Sequence, residues 1–242
     1  MLETVHLAHL PPDLPVYIAL FYGVQNIPFL RHQLLASNSD FEYAFIDASL
    51  ILSRTHVLAA CFRALNDYLC GRLKSRNVHS EIVFALSPNN TRLFVYPINP
   101  WVGGQILEAF RTFGMQGTTT NLLVIKVPVP VSNTKPATIP QPAPSAAPEQ
   151  PPSKEAIETH LLSSIQGTPI LFNDETLRIL CDTIKVRKTY KIPFPPAPPR
   201  KKAPPRKRGK PNAHAELNDN DPAQRSRLER SILGAMALRG AT

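Results

Sequence analysis

The placement of proline decides which parts of this chain can fold together. Of its 26 prolines, nine lie between Val127 and Pro152 and eight between Pro193 and Pro211. Proline fixes φ and removes a backbone donor, so it is excluded from the interior of regular elements. Neither stretch carries apolar periodicity, and both read as disordered insertions that stay out of a packed core. The rest, roughly 190 residues, is long enough for one sizeable core. The organisation that follows is a single mixed α/β domain from residues 1–127 and 153–192. A Pro-rich linker at 128–152 interrupts it, and a basic Pro-rich segment at 193–221 leads to a C-terminal helix at 222–240.

The net charge of +9 is local rather than general. Between Lys185 and Lys210 there are eleven Lys or Arg and no Asp or Glu, and setting them aside leaves 16 basic against 18 acidic residues. A near-neutral folded part therefore carries a basic tail, whose run Arg200, Lys201, Lys202, Arg206, Lys207, Arg208 is a candidate for nuclear import or nucleic-acid contact. The alternative is a solubilising disordered tail. Cys61, Cys70 and Cys181 are too far apart in sequence to suggest a disulfide framework or metal knuckle. His6, His9 and Pro11-Pro12 interrupt the start where a secretory leader would need an apolar run. The longest apolar stretch, Leu14–Val24, is too short to span a bilayer. The expectation is a reduced, intracellular protein with no membrane contact.

Patterning assigns most elements. Val16–Tyr22, bounded by Pro15 and Gly23, reads as a buried strand, and Pro28–Ala36 as a short helix. Tyr43–Asp47 and Asn121–Val127 are further strand candidates. Across Arg54–Cys70, the residues Val57, Leu58, Cys61, Phe62, Leu65, Tyr68 and Leu69 form one apolar face, with Ser53 or Thr55 to cap its start and Gly71 its end. Ser80–Leu86 is a buried element, strand or helix, broken by Ser87-Pro88-Asn89-Asn90. Ile106–Phe113 is helical. Ser153 starts a helix through Ile157, Leu161 and Ile165 that Gly167 ends, and Thr168–Phe172 follows as a strand. Asn173 caps a short helix bearing Leu177, Leu180, Cys181 and Ile184. Val186–Ile192 alternates and reads as a strand with a basic face. Finally, Asp221, Pro222 and Gln224 start a helix whose Leu228, Ile232, Leu233 and Met236 share a face; so well specified a helix must dock on the core or on a partner.

Motifs for catalysis are missing. There is no His-Glu-x-x-His, Cys-x-x-Cys or Gly-x-Ser-x-Gly, and Gly103-Gly104 lacks the Lys-Ser/Thr of a phosphate loop. His56 and His79 read either as proton shuttles or as packing residues, and Glu81 as either functional or cap-like. Arg72, Lys74 and Arg76 either complement the preceding helix C-terminus or form a phosphate-contacting patch.

These blocks together resemble the kinase-binding subunit family of the KEOPS/EKC complex, also called the PRPK-binding protein family. The most specific block is Ser80-Glu81-Ile82-Val83-Phe84-Ala85-Leu86-Ser87-Pro88-Asn89-Asn90. It is joined by Val16–Tyr22, His56–Leu69 with Gly71–Arg76, Ile106–Gly114 ending in Phe-Gly, and Leu122–Val127. His160–Gly167, Thr168–Phe172, Lys188–Ile192 and Leu228–Ala237 complete it. The resemblance implies an α/β fold with no catalytic residues, cofactor or metal of its own. It implies binding to a small atypical kinase-like ATPase and, indirectly, to the remaining subunits of a complex that threonylcarbamoylates adenosine 37 of ANN-decoding tRNAs. Contact with the tRNA 3′ end, roles in telomere maintenance and transcription, and residence in nucleus and cytoplasm belong to the same expectation. On it, Leu228, Ile232, Leu233 and Met236 are candidates for the kinase-facing surface, and Arg72, Lys74 and Arg76 for tRNA contact.

One departure concerns Thr91–Gln105. The family runs from Asn-Asn straight into the Phe-Gly helix, and the flanks rejoin when this segment is removed, so it is hypothesised to be a translated intron rather than a surface loop. A transcript that retains those codons as its major form refutes that. A competing function is a nuclear nucleic-acid-binding adaptor acting through the basic tail, whose activity would vanish on deleting Arg200–Lys210.

Overall fold

The computed structural model describes residues 1–88, 102–129, 152–194 and 221–238. A five-stranded antiparallel sheet is built from β1 (Glu3–Val5), β2 (Val16–Tyr22), β3 (Ala44–Asp47), β4 (Leu122–Lys126) and β5 (Thr168–Ile170), in the order β1-β2-β4-β3. β5 pairs with the far end of β2, Leu20 opposite Ile170 and Tyr22 opposite Thr168, while β1 pairs with its start, so the two short strands share one edge. Eight helices among the described residues cover the sheet: α1 (Ile27–Leu35), α2 (Arg54–Leu69), α3 (Val78–Leu86), α4 (Val102–Phe113), α5 (Lys154–Ser164), α6 (Asp174–Leu180), α7 (Thr183–Tyr190) and α8 (Pro222–Ala237). The mixed α/β class expected from the sequence is what forms.

Both faces of the sheet are buried, which is why its strands read as unbroken apolar runs. Val16, Ile18 and Leu20 of β2, with Leu123 and Ile125 of β4 and Ala44 and Ile46 of β3, face a core shared with α2, α3, α7 and α8. Ala19 and Phe21, with Leu122, Val124 and Phe45, face the other way onto α1 and α5. The period of two along each strand sorts the residues cleanly between the two layers.

Several boundaries follow from local chemistry. Ser53 caps α2 by accepting from the His56 N–H, Asn77 caps α3 through Ser80, Ser153 caps α5 through Ala156, and Asn173 caps α6 through Thr176. Gly71 sits at φ +64° just past α2, as a left-handed C-terminal turn requires. Gly167, expected to end α5, instead lets the chain approach β2 closely. A Cβ there would lie 2.9 Å from Val24 Cγ2 and 3.2 Å from Tyr22 O, a space that only glycine leaves free.

Three expectations are corrected. Val186–Ile192 is not a strand; Asp182 caps α7 by accepting from the Lys185 N–H, and Val186, Arg187 and Tyr190 turn inward. Val186 and Tyr190 are four apart, a spacing that fits both the strand and the helix period, and the cap decides between them. The helix expected from Asn173 through Ile184 breaks into α6 and α7 around Cys181 and Asp182. The buried face of α2 is also rotated: His56, Ala60 and Ala64 point inward with Val57, Cys61 and Leu65, whereas Phe62 and Leu69 are 39% and 46% exposed. Small alanines on the inner face suit the packing of α3 against α2.

Of the segment Thr91–Gln105, only the turn 102–105 is described, and it is the start of α4. Excising the whole segment would therefore remove the first turn of a helix that continues unbroken to Phe113.

Candidate functional site

The diagnostic Ser80–Asn90 block is a helix through Leu86, and every residue of α3 except Ser80 is buried. Its run Ile82–Leu86 is continuously apolar, and so short a run fits a buried strand or a buried helix alike, which is why the sequence leaves its type open. Its one acid, Glu81, is only 3% exposed, and Oε2 accepts from the backbone N–H of Lys74 (3.0 Å), that of Ser75 (2.7 Å) and the Ser75 hydroxyl (2.6 Å). Glu81 thus folds the loop between α2 and α3 back onto α3, and of the two readings the cap-like one describes it. The Asn77 side chain closes the same corner by donating to Glu42 Oε1 at 2.6 Å.

The loop so anchored holds Arg72, Lys74 and Arg76 on the surface, all three exposed and within five residues of one another. Arg72 pairs with Asp67 at 3.4 Å across the end of α2, and its backbone N–H donates to Asp67 O. So exposed an ion pair contributes little to stability. Arg76 donates to Ser37 Oγ at 3.1 Å and reaches the rim of a groove beside α1. Glu81→Ala is expected to destabilise the fold by about 2–4 kcal/mol, because three donors to a buried carboxylate lose their acceptor together. Urea unfolding measures the loss, and limited proteolysis between residues 72 and 76 should become faster.

The C-terminal end of α3 is tied down from another motif. The Leu52 N–H donates to His56 Nδ1 (3.4 Å), which leaves Nε2–H to donate to Tyr190 Oη (2.7 Å); the tyrosine hydroxyl donates in turn to Leu86 O (2.5 Å). Tyr190 belongs to the Lys188–Ile192 block, so that block and the Ser80–Asn90 block meet in space. His79 is also buried, and its Nε2 accepts from the Val127 N–H at 3.1 Å. Burial pushes both imidazoles down to about 3, helped at His79 by the Lys126 charge. Both are neutral, buried packing residues at neutral pH. Cys61 is buried too, its thiol raised to about 12 by desolvation. Among the described residues no cluster of three or more His, Cys, Asp and Glu could hold a metal ion, and no helix is long and apolar enough to cross a membrane.

The candidates on α8 are placed differently from expectation. Leu228, Ile232 and Met236 are buried against the α2 side of the core and Leu233 is half-buried. Hydrogen bonds latch the docked helix: Arg225 donates to Leu52 O, Arg63 to Met236 O, and Ser53 Oγ to Glu229 at 2.5 Å. The apolar face therefore serves the chain's own core, and what α8 offers outward is Arg227, Arg230, Ser231 and Gly234. An amphipathic pattern shows that a helix must dock but not on what. The import candidates Arg200, Lys201, Lys202, Arg206, Lys207 and Arg208 lie outside the described residues. The structure also brings Arg31 and Arg111 to the groove that Arg76 borders, two residues with no local motif to mark them.

The model of the family described as "Kinase binding protein CGI-121" matches residues 21–240. Relatives called "EKC/KEOPS complex subunit cgi121" from Aspergillus terreus and Aspergillus fumigatus are each 44% identical over 241 residues, covering all of this chain and 98% of theirs. One of the same name from Schizosaccharomyces pombe is 27% identical over 181 residues, 75% of this chain and 84% of its own. With the match running from β2 to beyond α8, the chain belongs to the CGI-121 kinase-binding protein family.

Proposed function

We propose that this protein is a non-catalytic, regulatory subunit of an EKC/KEOPS complex. It binds the complex's small atypical kinase, and through it the other subunits, and so supports threonylcarbamoylation of adenosine 37 in ANN-decoding tRNAs. The observation that carries this reading is a family match over nearly the whole described fold, with relatives named as subunits of that complex over their full length. On this reading the outward face of α8 receives the kinase, and the loop of Arg72, Lys74 and Arg76, held by Glu81, contacts the tRNA 3′ end. Guanidinium and ammonium groups on a fixed loop supply the phosphate contacts such an end requires. Residence in nucleus and cytoplasm, with roles in telomere maintenance and transcription, belongs to the same proposal.

The test is co-purification with the kinase. Gly234 offers a clean probe, since a Cβ at this position meets nothing within 4 Å. Gly234→Arg should leave the fold intact, and slightly favour the helix, while blocking close packing of a partner. Loss of the kinase with unchanged circular dichroism supports the α8 surface; full retention moves the interface elsewhere, and no co-purification of the unaltered chain refutes the reading. Reversing Arg72, Lys74 and Arg76 to Glu should weaken tRNA retention in a gel shift without releasing the kinase. If instead deleting Arg200–Lys210 abolishes function with the kinase still bound, the adaptor reading through the basic tail takes its place.

A further inference from the structure

The groove that Arg76 borders has a volume of about 510 Å³ and lies between α1, the end of α4 and the start of α3. This is within the range of sites that enclose a ligand or a short peptide. Its charge is one-sided. Arg31 from α1, Arg76 from the loop and Arg111 from α4 line it, and Glu42 is the single carboxylate among the described lining residues. Glu42 Oε1 is already engaged by Asn77, so three guanidinium groups from three separate elements face a site with little anionic compensation of its own.

The apolar component is aliphatic. Leu35 of α1 and Leu107 of α4 both line it, at 74% and 55% exposure. Of the two aromatic rings in the lining, Phe41 is 9% exposed and held edge-on by Phe29 at 5.7 Å and His160 at 4.9 Å, and Phe110 is half-buried and packed against the core. Exposed leucines flanked by arginines suit aliphatic side chains beside carboxylates, which arginine binds bidentately. We propose that this groove is a docking site for an acidic, aliphatic peptide segment of a protein partner, with Arg31 and Arg111 binding its carboxylates and Leu35 and Leu107 its apolar side chains. The site is separate from the outward face of α8; it shares Arg76 with the loop assigned to the tRNA, and its test therefore leaves Arg76 unaltered.

The probe is a fluorescein-labelled twelve-residue peptide in which Glu and Asp alternate with Leu, titrated with the full chain and followed by anisotropy. Controls are the same peptide with Lys in place of the acids and a single-stranded RNA of equal charge. Binding of the acidic peptide, weakened roughly tenfold or more by Arg31→Glu with Arg111→Glu and separately by Leu107→Asp, is the expected result. All three altered residues lie on the groove wall rather than in the core, so the fold should survive, and circular dichroism verifies it. No binding of the acidic peptide, equal binding of the Lys peptide, or capture of the RNA alone through Arg31 and Arg111 overturns the proposal. Because Arg72, Lys74 and Gly234 are untouched, kinase co-purification is unaffected by either outcome.

Discussion

Lowering the pH from 7 to 5 is expected to destabilise the fold by roughly 3–4 kcal/mol, through His56 and His79 alone. Both are fully buried, with values near 3 in the folded chain against 6.5 for a free imidazole. The sign follows directly. A depressed folded value means that the unfolded chain binds a proton the folded one refuses, so the contribution is intact above about pH 6.5. It is lost progressively as the pH falls towards 3, by about 1.4 kcal/mol per unit for each residue. The geometry makes the refusal concrete at His56, where the Leu52 N–H occupies Nδ1 and Nε2–H is committed to Tyr190. A second proton would set two N–H groups facing each other in a desolvated site. Urea unfolding at pH 7 and pH 5 measures the difference. In a chain carrying His56→Gln and His79→Gln, starting stability should be lower but the slope between those two pH values much flatter. An unchanged slope would mean that other groups govern the acid limb.

The second large effect is expected from Ile232→Asp. Ile232 is fully buried on α8, between Leu228 and Met236 on the same inward face. An ionised carboxylate at this position costs about 3–5 kcal/mol, since it loses apolar contacts and gains no partner. The helix is latched by hydrogen bonds from Arg225 and Arg63 near its two ends and from Ser53 to Glu229 in its middle, and α2 provides its main support. The expected outcome is release of α8 while the sheet and the remaining helices hold. It would appear as a partial loss of helical circular dichroism and rapid protease cleavage within residues 222–238. Full protection from protease would show that α8 does not depend on this contact. Any loss of kinase binding in this variant reports undocking rather than a missing surface contact, which is why Gly234→Arg is the sharper probe of the outward face.

How much of the fold is legible depends on whether its signal is local. β2 can be read to its ends because Pro15 and Gly23 bracket a β-branched run, and the start of α8 because Asp221, Pro222 and Gln224 agree on it. β1 leaves no such mark, being three residues long and defined only by its pairing with Val16, Tyr17 and Ile18. α7 reads as a strand because an i, i+4 pair satisfies both periods. The candidate site divides in the same way. Arg72, Lys74 and Arg76 stand out as a group since they are close in sequence, but their anchoring by Glu81 does not, because nothing marks which donors a buried carboxylate will meet. Arg31 and Arg111 lie 80 residues apart and come to one groove only in the folded chain.

By itself, then, the sequence determined where most helices begin and end, and to which family it belongs. Both rest on residues near one another: capping side chains, and the Ser80–Asn90 block with its companions. The tertiary structure alone decided which faces are consumed. It turned Leu228, Ile232 and Met236 inward, rotated α2 so that Phe62 and Leu69 stand outside, and closed the Leu52–His56–Tyr190–Leu86 chain across four segments. The physical reason is that burial is a property of pairs of surfaces. An apolar face announces that it will be covered, and only the packing of the other layers settles whether the cover is the chain's own core or another molecule.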